Sequence, residues 1–203
     1  MRVHDFVERL RFSQQIDGDM ESFLNYLVEI IPGGIGWKRA TEDEDKKGID
    51  YWILRDHGLP PLAIDVKHRE IDPIERFGSD DICIETTSVY VGPDNPPWAD
   101  EYRKKVGWTL DLSRRTDLVI YTWPLSNGRR GRRFWVVYFP FLCYAALKHW
   151  RWWAISYGEK IVYNNGYKTL CIFVPRNEVE EAIRQCCIGT FAPAQPENNW
   201  SLW

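Results

Sequence analysis

Two acidic residues and one lysine stand in two neighbouring sequence runs that are typical of β-strands. Asp50 opens the run DYWILR, and the following run, LAIDVKHR, contains Asp65 and Lys67. Successive side chains of a strand point to opposite faces, so Asp65 and Lys67 share one face and Val66 lies on the other. The short connection between the two runs predicts an antiparallel hairpin, which brings Asp50 close to Asp65.

This combination of groups is suited to the hydrolysis of phosphate esters. Two carboxylates can hold a divalent ion such as Mg²⁺, with Mn²⁺ as a substitute, and the backbone carbonyl of Val66 can add an oxygen ligand. The ammonium group of Lys67 can stabilise the attacking water or the charge on phosphorus. We therefore predict Asp50, Asp65 and Lys67 as catalytic residues and expect Asp65 and Lys67 to face solvent. The alternative is an exposed strand whose charges provide solubility and cross-strand pairs.

The surrounding elements predict an α/β fold with a mixed sheet. Apolar residues recur at steps of three and four from Asp17 to Ile31, which indicates an amphipathic helix ended by Pro32. A third β-rich run, Ile82 to Val91, carries Glu85 as a candidate third acid. The other predicted elements are a loop at Thr41 to Gly48, helical turns within Trp98 to Val106, strands at Asp117 to Trp123, Phe134 to Phe139 and Tyr167 to Val174, and helices at Phe141 to Ala154 and Glu178 to Cys187.

The order of helix, Asp50 and then Asp65-x-Lys67 resembles the PD-(D/E)XK nuclease superfamily, which includes restriction enzymes, Holliday junction resolvases and phage nucleases. The resemblance covers Asp17 to Trp123. It implies a single restriction endonuclease-like domain, a mixed β-sheet flanked by helices, over residues 1–188. Residues 189–203 are predicted to form a flexible tail.

The resemblance also assigns roles to the residues. Asp50 and Asp65 would bind Mg²⁺, Lys67 would orient the hydrolytic water, and an acid on the first core helix maps onto Glu21, with Glu29 as the alternative. The chain departs from the family pattern at Ile49, where the family name has proline. It also lacks Gln-x-x-x-Tyr after the lysine and a four-cysteine cluster, which disfavours the RecB-like branch and favours a phage or bacterial endonuclease or resolvase-like member.

The charge distribution is uneven, which favours a nucleic-acid partner. The net charge is −3, but residues 101–160 contain twelve lysines and arginines against four acidic residues. Such a stretch is either a solvated face or a surface that collects phosphates. Beside a predicted nuclease site we expect DNA contacts, and the arginines assigned to them are Arg69, Arg114, Arg115, Arg129, Arg130, Arg132 and Arg133. The eleven tryptophans serve either core packing or base stacking.

Several other classes of protein are disfavoured. No apolar run reaches the length of a membrane span, and the five cysteines lack CxxC spacing, so we expect a cytoplasmic protein of a bacterial or phage-infected cell without structural disulfides. Walker and GxSxG motifs are absent from the sequence. The predicted function is a Mg²⁺-dependent DNA nuclease. The alternative is a non-catalytic nucleic-acid- or protein-binding module on the same fold, such as a phage accessory factor. The aromatic segment Phe134 to Trp153 is either a homodimer interface or plain core.

Overall fold

The computed structural model of the chain describes residues 18–45, 47–69, 71, 73–74, 78–90, 104–125, 131–164 and 167–191. The chain begins with helix α1 (18–30), strand β1 (Gly34–Arg39) and helix α2 (Glu42–Asp45). Four strands follow, β2 (Tyr51–Arg55), β3 (Leu62–His68), β4 (Asp81–Tyr90) and β5 (Lys104–Val106), and then a 3-10 helix (Trp108–Leu110). The remaining elements are strands β6 (Leu118–Pro124) and β7 (Arg132–Tyr138), helix α3 (Phe139–Tyr157), strands β8 (Glu159–Asn164) and β9 (Tyr167–Pro175), and helix α4 (Arg176–Phe191). None of the described helices is long and apolar enough to cross a membrane.

The chain divides into two compact units, each with its own sheet. The first unit comprises Met1–Ser79 and Ser113–Phe139, and the second comprises Asp80–Leu112 and Pro140–Trp203. The first sheet has the order β1-β2-β3-β6-β7, in which β3 and β6 are parallel and the other pairs are antiparallel. The predicted α/β class, with a mixed sheet flanked by helices, is confirmed.

Helix α1 packs against one face of the first sheet, as its apolar periodicity predicts. Its buried side chains Met20, Leu24 and Leu27 share one core cluster with Ile64 and Val66 of β3. The apolar stripe of the helix therefore covers one face of β3. Because side chains alternate along a strand, Asp65 and Lys67 project from the opposite face.

Strands β2 and β3 form the predicted antiparallel hairpin. The pairs in register are Tyr51 with Ile64, Trp52 with Ala63 and Ile53 with Leu62. Strand β1, which pairs with β2, was not predicted from the sequence. The predicted loop from Thr41 to Gly48 contains the short helix α2.

The second unit corrects the placement of the third β-rich run. Strand β4 belongs to a separate antiparallel sheet of order β5-β4-β9-β8, and it does not extend the β2–β3 hairpin. Glu85 therefore lies in a different sheet from Asp65. The helical turns predicted within Trp98 to Val106 are wrong for Lys104–Val106, which form β5, and residues 98–103 lie outside the described residues. Strand β8 was also missed, and α4 continues to Phe191, inside the predicted tail.

Candidate active site

Asp50 lies immediately before β2, where the pairing of β2 with β3 ends. The Asp50 N–H donates a hydrogen bond to the Ile64 carbonyl at 2.7 Å. Its Oδ2 atom accepts a hydrogen bond of 2.5 Å from the Val66 N–H. The carboxylate of Asp50 therefore takes the place of a backbone carbonyl as the hydrogen-bond acceptor for β3 at this point. This contact fixes Asp50 beside β3.

Asp65 and Lys67 form an ion pair on β3. Lys67 Nζ lies 2.8 Å from Asp65 Oδ1 and 2.7 Å from Asp65 Oδ2. Asp65 is only 3% exposed, so the expectation that it faces solvent is wrong. Its neighbours Ala63 and Ile64, which point to opposite faces, are also buried, and hence both faces of β3 are covered here. The side chain of Lys67 is 25% exposed to solvent.

Arg114 joins this pair from the segment that precedes β6. Its Nη1 atom donates a hydrogen bond of 2.9 Å to Asp65 Oδ2. Thr116 and Asp117 hold the same segment in place, because the Thr116 hydroxyl donates to the Gly48 carbonyl and the Asp117 carboxylate accepts from the Ala63 N–H. Sequence reasoning placed Arg114 among the phosphate contacts and missed its ion pair with the acid.

Gly48 shapes the pocket in which the guanidinium group of Arg114 lies. Its φ angle is +82°, in the region that favours glycine. A Cβ atom at this position would lie 2.5 Å from Arg114 Nη1, inside van der Waals contact. The absence of a side chain at Gly48 therefore allows Arg114 to reach Asp65.

Asp50 is electrostatically different from Asp65. Burial raises the pKa of Asp50 to about 6, and the charges of Asp65 and Asp45 act in the same direction. The hydrogen bond from Val66 and the positive charge of Lys67 lower this pKa and only partly offset the rise. Asp50 is thus ionised in most molecules at neutral pH, at a cost that a bound cation would reduce.

A cleft of about 280 Å³ opens beside Asp50. The residues that line it are Arg39, Ala40, Asp45, Asp50, Tyr51, Val66 and His68. Arg39 also lies over the Tyr51 ring, with its Cζ atom 5.6 Å from the ring centroid. Neither Arg39 nor His68 was selected from the sequence: Arg39 has no motif around it, and strand alternation puts His68 on the face of β3 opposite to Asp65 and Lys67.

The donor atoms around Asp50 and Asp65 suit a hard divalent cation. Both side chains offer carboxylate oxygens, and Asp50 Oδ1 has no hydrogen-bond partner among the described residues. The described part of the chain contains no group of three or more His, Cys, Asp or Glu side chains arranged to hold a metal. Two carboxylates still fit Mg²⁺, which usually keeps several water ligands and binds one or two carboxylates.

The two further acids lie on other elements of the chain than this pair. Glu21 is exposed on α1, which covers the face of β3 opposite to Asp65. Glu85 belongs to the second unit, where its Oε1 atom accepts hydrogen bonds from the Ser88 hydroxyl and the Trp108 N–H. The assignment of Glu21 to the metal site is therefore not retained, whereas the assignment of Glu85 stays a prediction.

The predicted phosphate-binding arginines have different environments. Arg132 donates to the Thr122 hydroxyl and to the carbonyls of Arg69 and Thr122, and burial lowers its pKa. It therefore ties together strand ends of the first sheet. Arg133 lies over the Trp123 ring at 4.8 Å, whereas Arg115 is exposed. Arg69 is half-buried, and Arg129 and Arg130 lie outside the described residues.

Comparisons with known proteins add little to this geometry. No family model matches the sequence, and no curated protein matches it. Among solved structures, the chain is similar to D212, a nuclease from a fusselovirus, with 14% sequence identity and a TM-score of 0.30. The alignment covers 94% of this chain and 97% of that chain. A TM-score this low does not establish a shared fold, so the function is inferred from the side chains around Asp50 and Asp65.

Proposed function

We propose that the protein is a nuclease that uses Mg²⁺ to hydrolyse phosphodiester bonds of DNA. One observation carries the proposal: the β2–β3 hairpin fixes Asp50 to the backbone of Val66, between Asp65 and Lys67, and the charges of both residues act on its carboxylate. Two carboxylates and an ammonium group in one place match the needs of phosphodiester hydrolysis, which requires charge neutralisation and an oriented water.

The two acids are the proposed ligands of the ion. Asp50 and Asp65 would hold Mg²⁺ through carboxylate oxygens, with the Val66 carbonyl as a further ligand. When bound, the ion supplies Lewis-acid polarisation of the phosphate and lowers the pKa of a coordinated water. The hydrogen bond from Val66 keeps Asp50 in place without using Oδ1.

Lys67 is the proposed residue for water orientation. Its ammonium group contacts both Asp65 oxygens, and its partial exposure leaves it within reach of solvent. An ammonium group has three donors, so it can contact Asp65 and still donate to a water or phosphate oxygen. Lys67 thus links the ligand Asp65 to the reacting groups.

DNA is the proposed substrate because of the basic stretch that follows the site in sequence. Residues 101–160 contain twelve lysines and arginines, and exposed Arg115 lies next to Arg114. Positive side chains of this kind bind the phosphates that flank a scissile bond. An endonuclease or resolvase-like activity is proposed on this basis and on the motif Asp50, Asp65-x-Lys67.

The decisive experiment is cleavage of supercoiled plasmid and of a branched DNA junction by purified protein in Mg²⁺, Mn²⁺ or EDTA. We expect metal-dependent cleavage by the wild type and a loss of at least about 100-fold in Lys67→Gln. Lys38→Gln, an exposed lysine of β1, is the matched control and should cleave normally.

The alternative is a non-catalytic binding module. In that case the ion cluster of Asp65, Lys67 and Arg114 would serve only to stabilise the fold. Wild-type protein that binds DNA but cuts neither substrate in any metal would overturn the nuclease proposal and support this alternative.

A further inference from the structure

Asp65 has more positive partners than its charge requires. Lys67 Nζ contacts both carboxylate oxygens, and Arg114 Nη1 contacts Oδ2. One buried carboxylate thus faces two cations. A divalent ion that binds Asp65 competes with both cations for its negative charge, and their three contacts already take up most of the roughly four acceptor positions of the carboxylate.

Arg114 has structural support that does not depend on Asp65. Its guanidinium group lies against Gly48, and its segment is tied to the Gly48 carbonyl through Thr116 and to β3 through Asp117. If the hydrogen bond to Asp65 breaks, these contacts keep Arg114 at the site. The arginine is therefore held where it can exchange one anionic partner for another.

The contacts identify Arg114 as the partner that yields to a metal ion. Arg114 reaches only Oδ2 of Asp65, whereas Lys67 contacts both oxygens. A guanidinium group is also a strong partner for phosphate, which it can bind through two parallel hydrogen bonds. Its release from Asp65 would coincide with the arrival of a phosphate at the metal.

We infer that Arg114 neutralises Asp65 in the metal-free protein and transfers its hydrogen bond to a substrate phosphate when a divalent ion binds Asp65. This inference rests on the proposed nuclease function. Under this inference, Arg114 lowers the affinity of the protein for the metal ion and raises the rate of cleavage.

Metal affinity gives a readout that is independent of cleavage. Isothermal titration with Mn²⁺ should show that Arg114→Gln binds the ion about tenfold more tightly than the wild type, because a competing positive charge is removed. The matched control is Arg115→Gln, which removes the same charge from the exposed neighbouring position and should change the affinity by less than about twofold. A purely structural role for Arg114 predicts the opposite sign, since loss of its support would disorder Asp65 and weaken binding.

Single-turnover cleavage at saturating Mn²⁺ tests the second half of the inference. Arg114→Gln should cleave at least about tenfold more slowly than the wild type despite its tighter metal binding. Arg114→Lys should recover part of this loss, because it restores the charge but not the two-point contact. Equal rates for Arg114→Gln and the wild type would overturn the transfer to phosphate.

A measurement on the wild type covers the case in which Arg114→Gln does not fold. The ¹⁵N resonance of the Arg114 side chain, assigned by its absence in Arg114→Lys, should shift when Mg²⁺ is added. An unchanged resonance at saturating Mg²⁺ would overturn the inference. Failure of the wild type to bind Mn²⁺ would instead overturn the proposed function, so the two failures are distinguishable.

Discussion

The two acids of the candidate site have opposite electrostatic surroundings, although both are proposed to bind one ion. Burial disfavours the ionised form of Asp50 and raises its pKa to about 6. Asp65 is more deeply buried but contacts both Lys67 and Arg114. Removing the charge of each residue should therefore change the stability of the metal-free protein in opposite directions.

Asp50→Asn should stabilise the metal-free protein above pH 6. The pKa rises from 3.8 in the unfolded chain to about 6 in the fold, so the native state holds the proton more tightly and its stability falls as the pH rises through this window. Asparagine keeps an acceptor for the Val66 N–H and does not ionise. Urea unfolding in EDTA should show a gain of about 3 kcal/mol at pH 7.5 and little gain at pH 4. Parallel pH curves for the two proteins would contradict this prediction.

Asp65→Asn should destabilise the metal-free protein. The change leaves Lys67 and Arg114 close together without their shared anion, and loss of one partner of a buried ion pair costs about 3 kcal/mol. The measurement is the urea midpoint in EDTA, with Glu29→Gln on the exposed surface of α1 as the matched acid-to-amide control. An unchanged midpoint in Asp65→Asn would show that the ion cluster does not stabilise the fold.

At the scale of elements, the turn that precedes β2 positions the cluster through Gly48. Gly48→Ala should be more destabilising than Gly58→Ala, although both residues have positive φ angles of +82° and +74°. A Cβ atom at Gly58 has no neighbour within 4 Å, so only backbone strain of about 1 kcal/mol is expected there. At Gly48 the Cβ atom adds a steric clash with the Arg114 guanidinium group to the same backbone strain. Thermal unfolding of both variants checks the difference, and equal losses would mean that Arg114 moves away without cost.

The elements that the sequence predicts correctly are those with a strong local pattern. Helix α1 follows from its three- and four-residue spacing, and the β2–β3 hairpin follows from two β-rich runs around a turn. Strand β1, GIGWKR, was missed because two glycines lower its β propensity, and pairing with β2 decides its conformation. The assignment of β4 to a second sheet depends on long-range pairing with β9, which local patterns do not encode.

The same distinction applies to the candidate site. Asp50, Asp65 and Lys67 were selected because residue type and strand alternation place them together. The ion pair of Arg114 with Asp65 joins residues 49 positions apart and depends on the parallel pairing of β3 with β6. The sequence shows Arg114 only as a basic residue just before a predicted strand, which suggests a phosphate contact and not an ion pair with Asp65.

At the scale of the whole molecule, the predicted homodimer requires an apolar surface that is free to pair. Helix α3 exposes the large side chains Tyr144, Trp152 and Ile155, and Ile155 is 85% exposed. A two-fold interface places the same surface on both partners, so one charge introduced there acts twice. Light scattering after gel filtration should show a wild-type dimer and an Ile155→Glu monomer. Ile161→Glu, at an exposed position of β8, is the matched control, and a wild-type monomer at all concentrations would refute the dimer.

DNA binding should be measurable without cleavage, because the phosphate contacts proposed for exposed basic residues such as Arg115 do not require the metal. In EDTA, the wild type and Lys67→Gln should bind a duplex with similar affinity, since Lys67 is one charge among many in the chain. The logarithm of the binding constant should fall linearly with the logarithm of salt concentration, because bound phosphates release counterions. Fluorescence anisotropy between about 50 and 200 mM salt measures this slope, and Arg115→Gln should reduce it by about one unit. A slope near zero would mean that the basic stretch of residues 101–160 is a solvated face, and the DNA assignment would then lose its support.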